Sequence, residues 1–132
     1  YGHQSGDECL RLITRALSST ITDPGSLVAR YGGEEFVVIL PGQDMVEAKT
    51  VAEKARIAVR LTSLDSLPGT PPRQTISIGL VTSTGGSQTT RDAMLAAADA
   101  ALYEAKKRGR NRVCSYCDIG EAGEQLPVNT AG

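Results

Sequence analysis

The stretch "LVARYGGEEFVVIL" at residues 27–40 constrains the fold more than any other part of the chain. Two runs of strand-forming residues flank a glycine pair, and a short glycine-bearing break between such runs signals a hairpin. The pattern predicts strands over 27–31 and 34–40, joined at Gly32-Gly33. A ribbon this apolar needs cover, so helices elsewhere in the chain must pack against it. Glu34 and Glu35 at the mouth of the second strand raise a separate question. Adjacent carboxylates repel, and burying them without a counter-charge costs several kcal/mol. Either they face water at the turn, or a positive group belongs beside them.

Around the hairpin, apolar periodicity alternates between helix and strand. Leu10, Ile13 and Leu17 form one stripe and predict a helix over 7–20. "TDPGS" at 22–26 is a loop, and Pro41-Gly42 closes the second strand. Asp44 with Glu47 has the form of a capping box, opening a helix to about residue 62 with Val51, Ala55 and Ile57/Ala58 inward. "SLPGTPPR" at 66–73 cannot be regular structure. In "QTISIGLVTS", Ile76, Ile78 and Leu80 alternate with Thr75, Ser77 and Gly79, the pattern of a half-buried strand. A loop, "TGGSQTT", leads to a helix starting at Thr90 or Asp92 and stopping at Gly109. Residues 111–117 make a last strand, and 118–132 read as a flexible tail or linker after a domain at 1–117. The fold class is α/β with an antiparallel hairpin in a mixed sheet. The first helix lacks a preceding strand, and the chain opens inside "YGHQSGDE", so it reads as a piece of a longer protein.

The 132 residues suffice for one domain with a real core. The net charge of -1 gives no global attraction to nucleic acid or membrane, and no apolar run approaches the ~20 residues of a membrane span. Cys114 and Cys117 form a C-x-x-C without the second pair a structural zinc site requires. With Cys9 they read as ordinary reduced thiols of a cytoplasmic protein.

Three clusters could carry chemistry. Gly32-Gly33 offers open backbone beside Glu34 and Glu35, whose side chains would leave opposite faces of a strand. One carboxylate there suits Mg²⁺ bridging phosphate oxygens, but a plain hairpin with solvated glutamates has the same sequence. "AKKRGRNR" at 105–112 places five basic residues at a helix C-terminus, where the helix dipole favours cations and where phosphate oxygens could also be clamped. Asp7 in "GHQSGDE" is either an N-cap or an acceptor for the N–H groups of a guanine edge. His3 has no nucleophile placed near it, so a catalytic triad is unsupported.

"GHQSGDECL", "RYGGEEF", "TISIGL" and "AADAALYEAKKRGRNRV", in this order, resemble the GGDEF domain of the diguanylate cyclase family in its GGEEF form. The resemblance covers residues 2–113. It implies a two-layer, palm-like α/β sandwich and the condensation of two GTP into cyclic di-GMP with Mg²⁺ or Mn²⁺. It assigns Glu34 to the metal and to activation of the 3′-hydroxyl, and Glu35 to a second acidic role. It places Gly32 and Gly33 under the GTP, Asp7 and His3 in the guanine loop, and Lys106 and Arg110 on the triphosphate. The implied partners are a second such domain in a transient homodimer and an upstream sensory domain.

Two departures from the family pattern matter. The first-strand metal aspartate and the guanine-reading asparagine would precede Tyr1, so this segment alone is not expected to turn over. The alternative function is a GTP-binding regulatory module without catalysis. The family's Arg-x-x-Asp product-inhibition site aligns with Asp23-Pro24-Gly25-Ser26, which reverses one charge and removes the other.

Overall fold

A computed structural model of the chain describes residues 3–62, 74–84 and 89–116, with side chains from Gly6 onward. The expected loop at 66–73, Cys117 and the tail at 118–132 lie outside these residues. The order is α1 (His3–Thr20), β1 (Leu27–Gly32), β2 (Glu35–Ile39), α2 (Met45–Leu61), β3 (Ile78–Leu80), α3 (Arg91–Lys107) and β4 (Val113–Ser115). This is the expected α/β sequence of elements. Among the described residues, no helix is long and apolar enough to cross a membrane.

The core forms where α1 and α2 pack together. Leu17, Ala55 and Val59 are buried, and Ile13, Ala16 and Ile21 join them from the α1 side. Val28 of β1, Phe36 of β2 and Ile76 ahead of β3 rest on the same cluster. Leu17 therefore faces inward as its stripe predicts, and so does Ala55 of α2, but the inward face of α2 is only partly the expected one. It is Ala48, Ala52, Ala55 and Val59, whereas Ile57 is 44% exposed. Small residues on this stripe let two helices approach closely, a role that weighting by hydrophobicity alone overlooks.

Helix ends follow local chemistry. The Asp44 carboxylate accepts from the Glu47 backbone N–H at 2.8 Å, and the Glu47 carboxylate accepts from Asp44 N–H at 3.3 Å. Both halves of the capping box are thus present. Thr90 caps α3 by accepting from Ala93 N–H at 3.1 Å. One expected cap is displaced: α1 begins at His3, so Asp7 is interior and does not serve as N-cap. Each residue added to an existing helix gains a hydrogen bond, which offsets the ~1 kcal/mol penalty of Gly6.

The strands form two ladders. β1 and β2 pair antiparallel, whereas β3 and β4 pair parallel across the α3 crossover. Among the described residues no hydrogen-bonded rung joins the two ladders. Gly79 of β3 was expected on the polar face of its strand, but α3 covers it. An added Cβ there would overlap the Ala98 carbonyl oxygen and Leu102 N, and would lie 2.8 Å from Leu102 Cα. The alternating pattern over 74–83 also overstates the strand, which is regular only from Ile78 to Leu80.

Candidate functional site

The hairpin turn is built one residue later than its sequence suggests. Val28 pairs with Val38 and Arg30 with Phe36, which sets the core-facing register. Tyr31 is then an extra residue, a β-bulge, and Gly32 pairs with Glu35. The turn is therefore Gly33-Glu34, not Gly32-Gly33. Gly33 alone takes positive φ, at 53°, as the first central position of a primed turn requires. The Arg30 guanidinium Nε donates to the Gly33 carbonyl at 2.9 Å and ties the turn to its own strand.

This geometry separates the two carboxylates. Glu34 occupies the turn and Glu35 opens β2, both exposed. They do not alternate along one strand as expected, because Glu34 has left the ladder. Gly32 has no conformational need to be glycine, since it does not use the left-handed region. A Cβ at Gly32 or Gly33 would meet nothing within 4 Å. The chain's own packing gives no reason for glycine at 32, but an approaching ligand would.

Between α1 and the hairpin lies an open groove of about 480 Å³. Asp7, Leu10, Arg11 and Arg15 line it from the helix, and Arg30 and Phe36 from the strands. The fold thus brings Asp7 and the residue holding the glycine turn to one cavity. Arg11 is paired with Glu8 at 3.1 Å. Sequence reasoning missed Arg11, Arg15 and Arg30. Their signal was available: Asp7, Arg11 and Arg15 recur at helical spacing, so they share a face. His3 belongs to α1, and its side chain lies outside the described residues.

Lys106 and Arg110 are not among the groove's lining residues. They flank the stop of α3, where Arg110 N–H donates to Ala105 O at 3.0 Å and Gly109 N–H to Lys106 O at 3.3 Å. These two bonds make a Schellman motif around Gly109, the expected stop residue. Gly109, Arg110 and Asn111 then take positive φ in succession, at 118°, 65° and 48°. Arg108 pairs with Glu104, and the Arg112 Nε donates to the Arg110 carbonyl. Lys106 and Arg110 are exposed at the end of this structured turn.

No three His, Cys, Asp or Glu side chains converge into a metal cage among the described residues. Cys9 and Cys114 carry free thiols. The donor chemistry at the hairpin fits Mg²⁺ nonetheless. That ion prefers one or two protein carboxylates completed by phosphate and water, and Glu34 is an exposed carboxylate beside open backbone.

The loop at 22–26 is closed on itself. The Gln43 amide donates to the Asp23 carboxylate at 2.6 Å, and Ser26 N–H donates to the Asp23 carbonyl at 3.1 Å. The Ser26 hydroxyl oxygen is buried. At the positions aligned with the family's product site, the exposed Asp23 carboxylate is tied to Gln43 and the Ser26 hydroxyl is turned into the fold.

The chain is similar to known proteins in both sequence and fold. The chain is 42% identical over 113 residues to the diguanylate cyclase DgcM of Escherichia coli, covering 86% of this chain and 26% of that protein. It is 41% identical over 114 residues to the response regulator PleD of Caulobacter vibrioides, covering 86% of this chain and 25% of that one. The chain thus spans about a quarter of the length of these curated relatives. In three dimensions it matches the GGDEF domain of DgcB from Caulobacter crescentus, solved in complex with c-di-GMP. The TM-score is 0.78 at 32% identity, covering 88% of this chain and 67% of that one. The active GGEEF domain of a Vibrio cholerae diguanylate cyclase matches with a TM-score of 0.71 at 30% identity, covering 88% and 71%. The family model for the diguanylate cyclase GGDEF domain matches residues 1–112, and the chain belongs to that family.

Proposed function

We propose that the intact protein condenses two GTP into cyclic di-GMP, each domain holding one nucleotide in a transient homodimer. The observation that carries this reading is the hairpin turn, where Glu34 projects beside glycine backbone that a Cβ would not otherwise clash with. Phosphate oxygens can approach such backbone closely. Glu34 would hold Mg²⁺ or Mn²⁺, which when bound neutralises triphosphate charge and lowers the pKa of a coordinated hydroxyl. Glu35, fixed opposite Gly32, supplies the second negative charge at the turn. Asp7, exposed in the groove, accepts N–H groups of the guanine edge, with His3 in the same helical turn region. Lys106 and Arg110 bind the triphosphate, whose charge matches their own. The direct test is incubation of the intact protein with GTP and Mg²⁺. Cyclic di-GMP as product supports the reading. Stoichiometric GTP binding without product at any protein concentration would replace it with the regulatory-module reading.

Gly32→Ala separates ligand from fold. The added methyl meets nothing in the chain, and alanine is no worse than glycine in a strand. Thermal stability should stay the same or rise slightly, while GTP affinity falls about tenfold or more, because a methyl under a bound phosphate forces it away. Unchanged affinity by calorimetry would remove the phosphate from this turn.

Cyclic di-GMP should not bind the Asp23 loop as an inhibitor. An acid stands where an arginine fork would meet phosphodiester oxygens, and that acid is held by Gln43. Loss of a charge-assisted pair, with repulsion added, should weaken binding by ~2–4 kcal/mol, a factor of ~30–1,000. Titration of cyclic di-GMP into the intact protein is expected to show no micromolar site that Asp23→Ala abolishes. Finding one would mean that the loop opens and recruits other cations.

A further inference from the structure

The basic turn after α3 is held from an unexpected direction. Arg56 of α2 reaches across the sequence and donates from Nη1 to the Asn111 side-chain oxygen at 2.8 Å. Its Nε and Nη2 both donate to Glu53 Oε2, at 3.1 and 2.9 Å. The Arg56 side chain is only 15% exposed, so it is packed as well as paired. The residue it grips is left-handed, and so is its neighbour Arg110. Left-handed backbone is disfavoured for residues with a Cβ, and asparagine tolerates it better than arginine. The backbone on either side is pinned, by Arg110 N–H to Ala105 O and by Ile78 N–H to Arg112 O at 2.9 Å. Asn111 is the one residue between those pins whose side chain is tied to another helix.

We infer that Arg56 is a positioning residue for the triphosphate. By holding Asn111 it keeps Arg110 on left-handed backbone and so aims the Arg110 guanidinium at the phosphates. The inference rests on the phosphate reading of Arg110 given above. Only arginine fits the task, because one planar fork must satisfy Glu53 and still present an N–H to Asn111. A lysine carries its three donors on one nitrogen and lacks the fork that spans the two partners.

The test uses the intact protein and 3′-deoxy-GTP, which lacks the attacking hydroxyl, with GMP as the control that lacks the outer phosphates. Arg56→Met should weaken 3′-deoxy-GTP about fivefold to tenfold, the scale of one lost hydrogen bond, and leave GMP within about twofold. Asn111→Ala removes the acceptor together with asparagine's tolerance of left-handed backbone, and should do the same if Arg56→Met fails to fold. Asn111→Asp keeps an acceptor for Arg56 and should retain binding. Combining Arg56→Met with Arg110→Ala should cost no more than Arg110→Ala alone. Equal losses for 3′-deoxy-GTP and GMP would show a structural role and overturn the inference. So would full 3′-deoxy-GTP affinity in both Arg56→Met and Asn111→Ala while Arg110→Ala is weakened. If Arg110→Ala itself binds normally, the phosphate reading falls first and takes this inference with it.

Discussion

Glu34→Gln should lower cyclic di-GMP formation by the intact protein at least ~100-fold, with no change in melting temperature. The substitution keeps the side-chain volume and removes the charge. Glu34 is exposed in the Gly33-Glu34 turn and outside the ladder, so folding has no use for its carboxylate. A metal ligand is different. The cation's stabilisation of developing phosphoryl charge is worth several kcal/mol, and ~100-fold is about 2.7 kcal/mol of barrier. Rates measured at saturating GTP and at several Mg²⁺ concentrations check this. Near-normal turnover would take the metal away from Glu34. A loss recovered fully by excess Mg²⁺ would limit the residue to metal affinity.

Gly79→Ala should have the larger effect on the fold, destabilising by about 3 kcal/mol or more, at the upper end of overpacking costs. The added carbon would strike backbone: the Ala98 carbonyl, Leu102 N and Leu102 Cα. A flexible side chain could turn aside, but a helix backbone must translate as a body. Ala101 and Ala105 are fully buried on that helix, so translation breaks good packing elsewhere. Urea denaturation of the purified variant is the measurement. A midpoint equal to the wild type would mean that α3 is free to move away from β3.

Much of this was readable in the chain, and the rest failed for physical reasons. Capping chemistry is local, so Asp44 with Glu47 and the stop at Gly109 could be read directly. The hairpin was legible but its turn was not. The bulge at Tyr31 depends on Phe36 finding the α1–α2 core, a contact far away in sequence. The inward face of α2 was read correctly only at Ala55, because alanine contributes little to hydrophobic periodicity and much to close packing. Gly79 looked like the polar side of a strand because its partner, α3, comes a full crossover later. In the site, the acidic turn and basic helix end stood out as motifs, yet their residues alone allowed bland alternatives. Resemblance to a family supplied the roles. Arg11 and Arg15 share the helical spacing of Asp7, but the place of Arg30 in the groove and the grip of Arg56 on Asn111 required the fold.

The shared dependence of both ladders on α2 has a mechanical consequence. Ala55 and Val59 seat the hairpin through Val28 and Phe36, while Arg56, on the same turn of helix, grips the basic loop. The same helix thus packs against the hairpin and holds the loop that leads into β4. A small roll of α2 about its own axis would swing Ala55 and Arg56 through the same angle. The acidic turn and the basic turn would then both feel the same rotation.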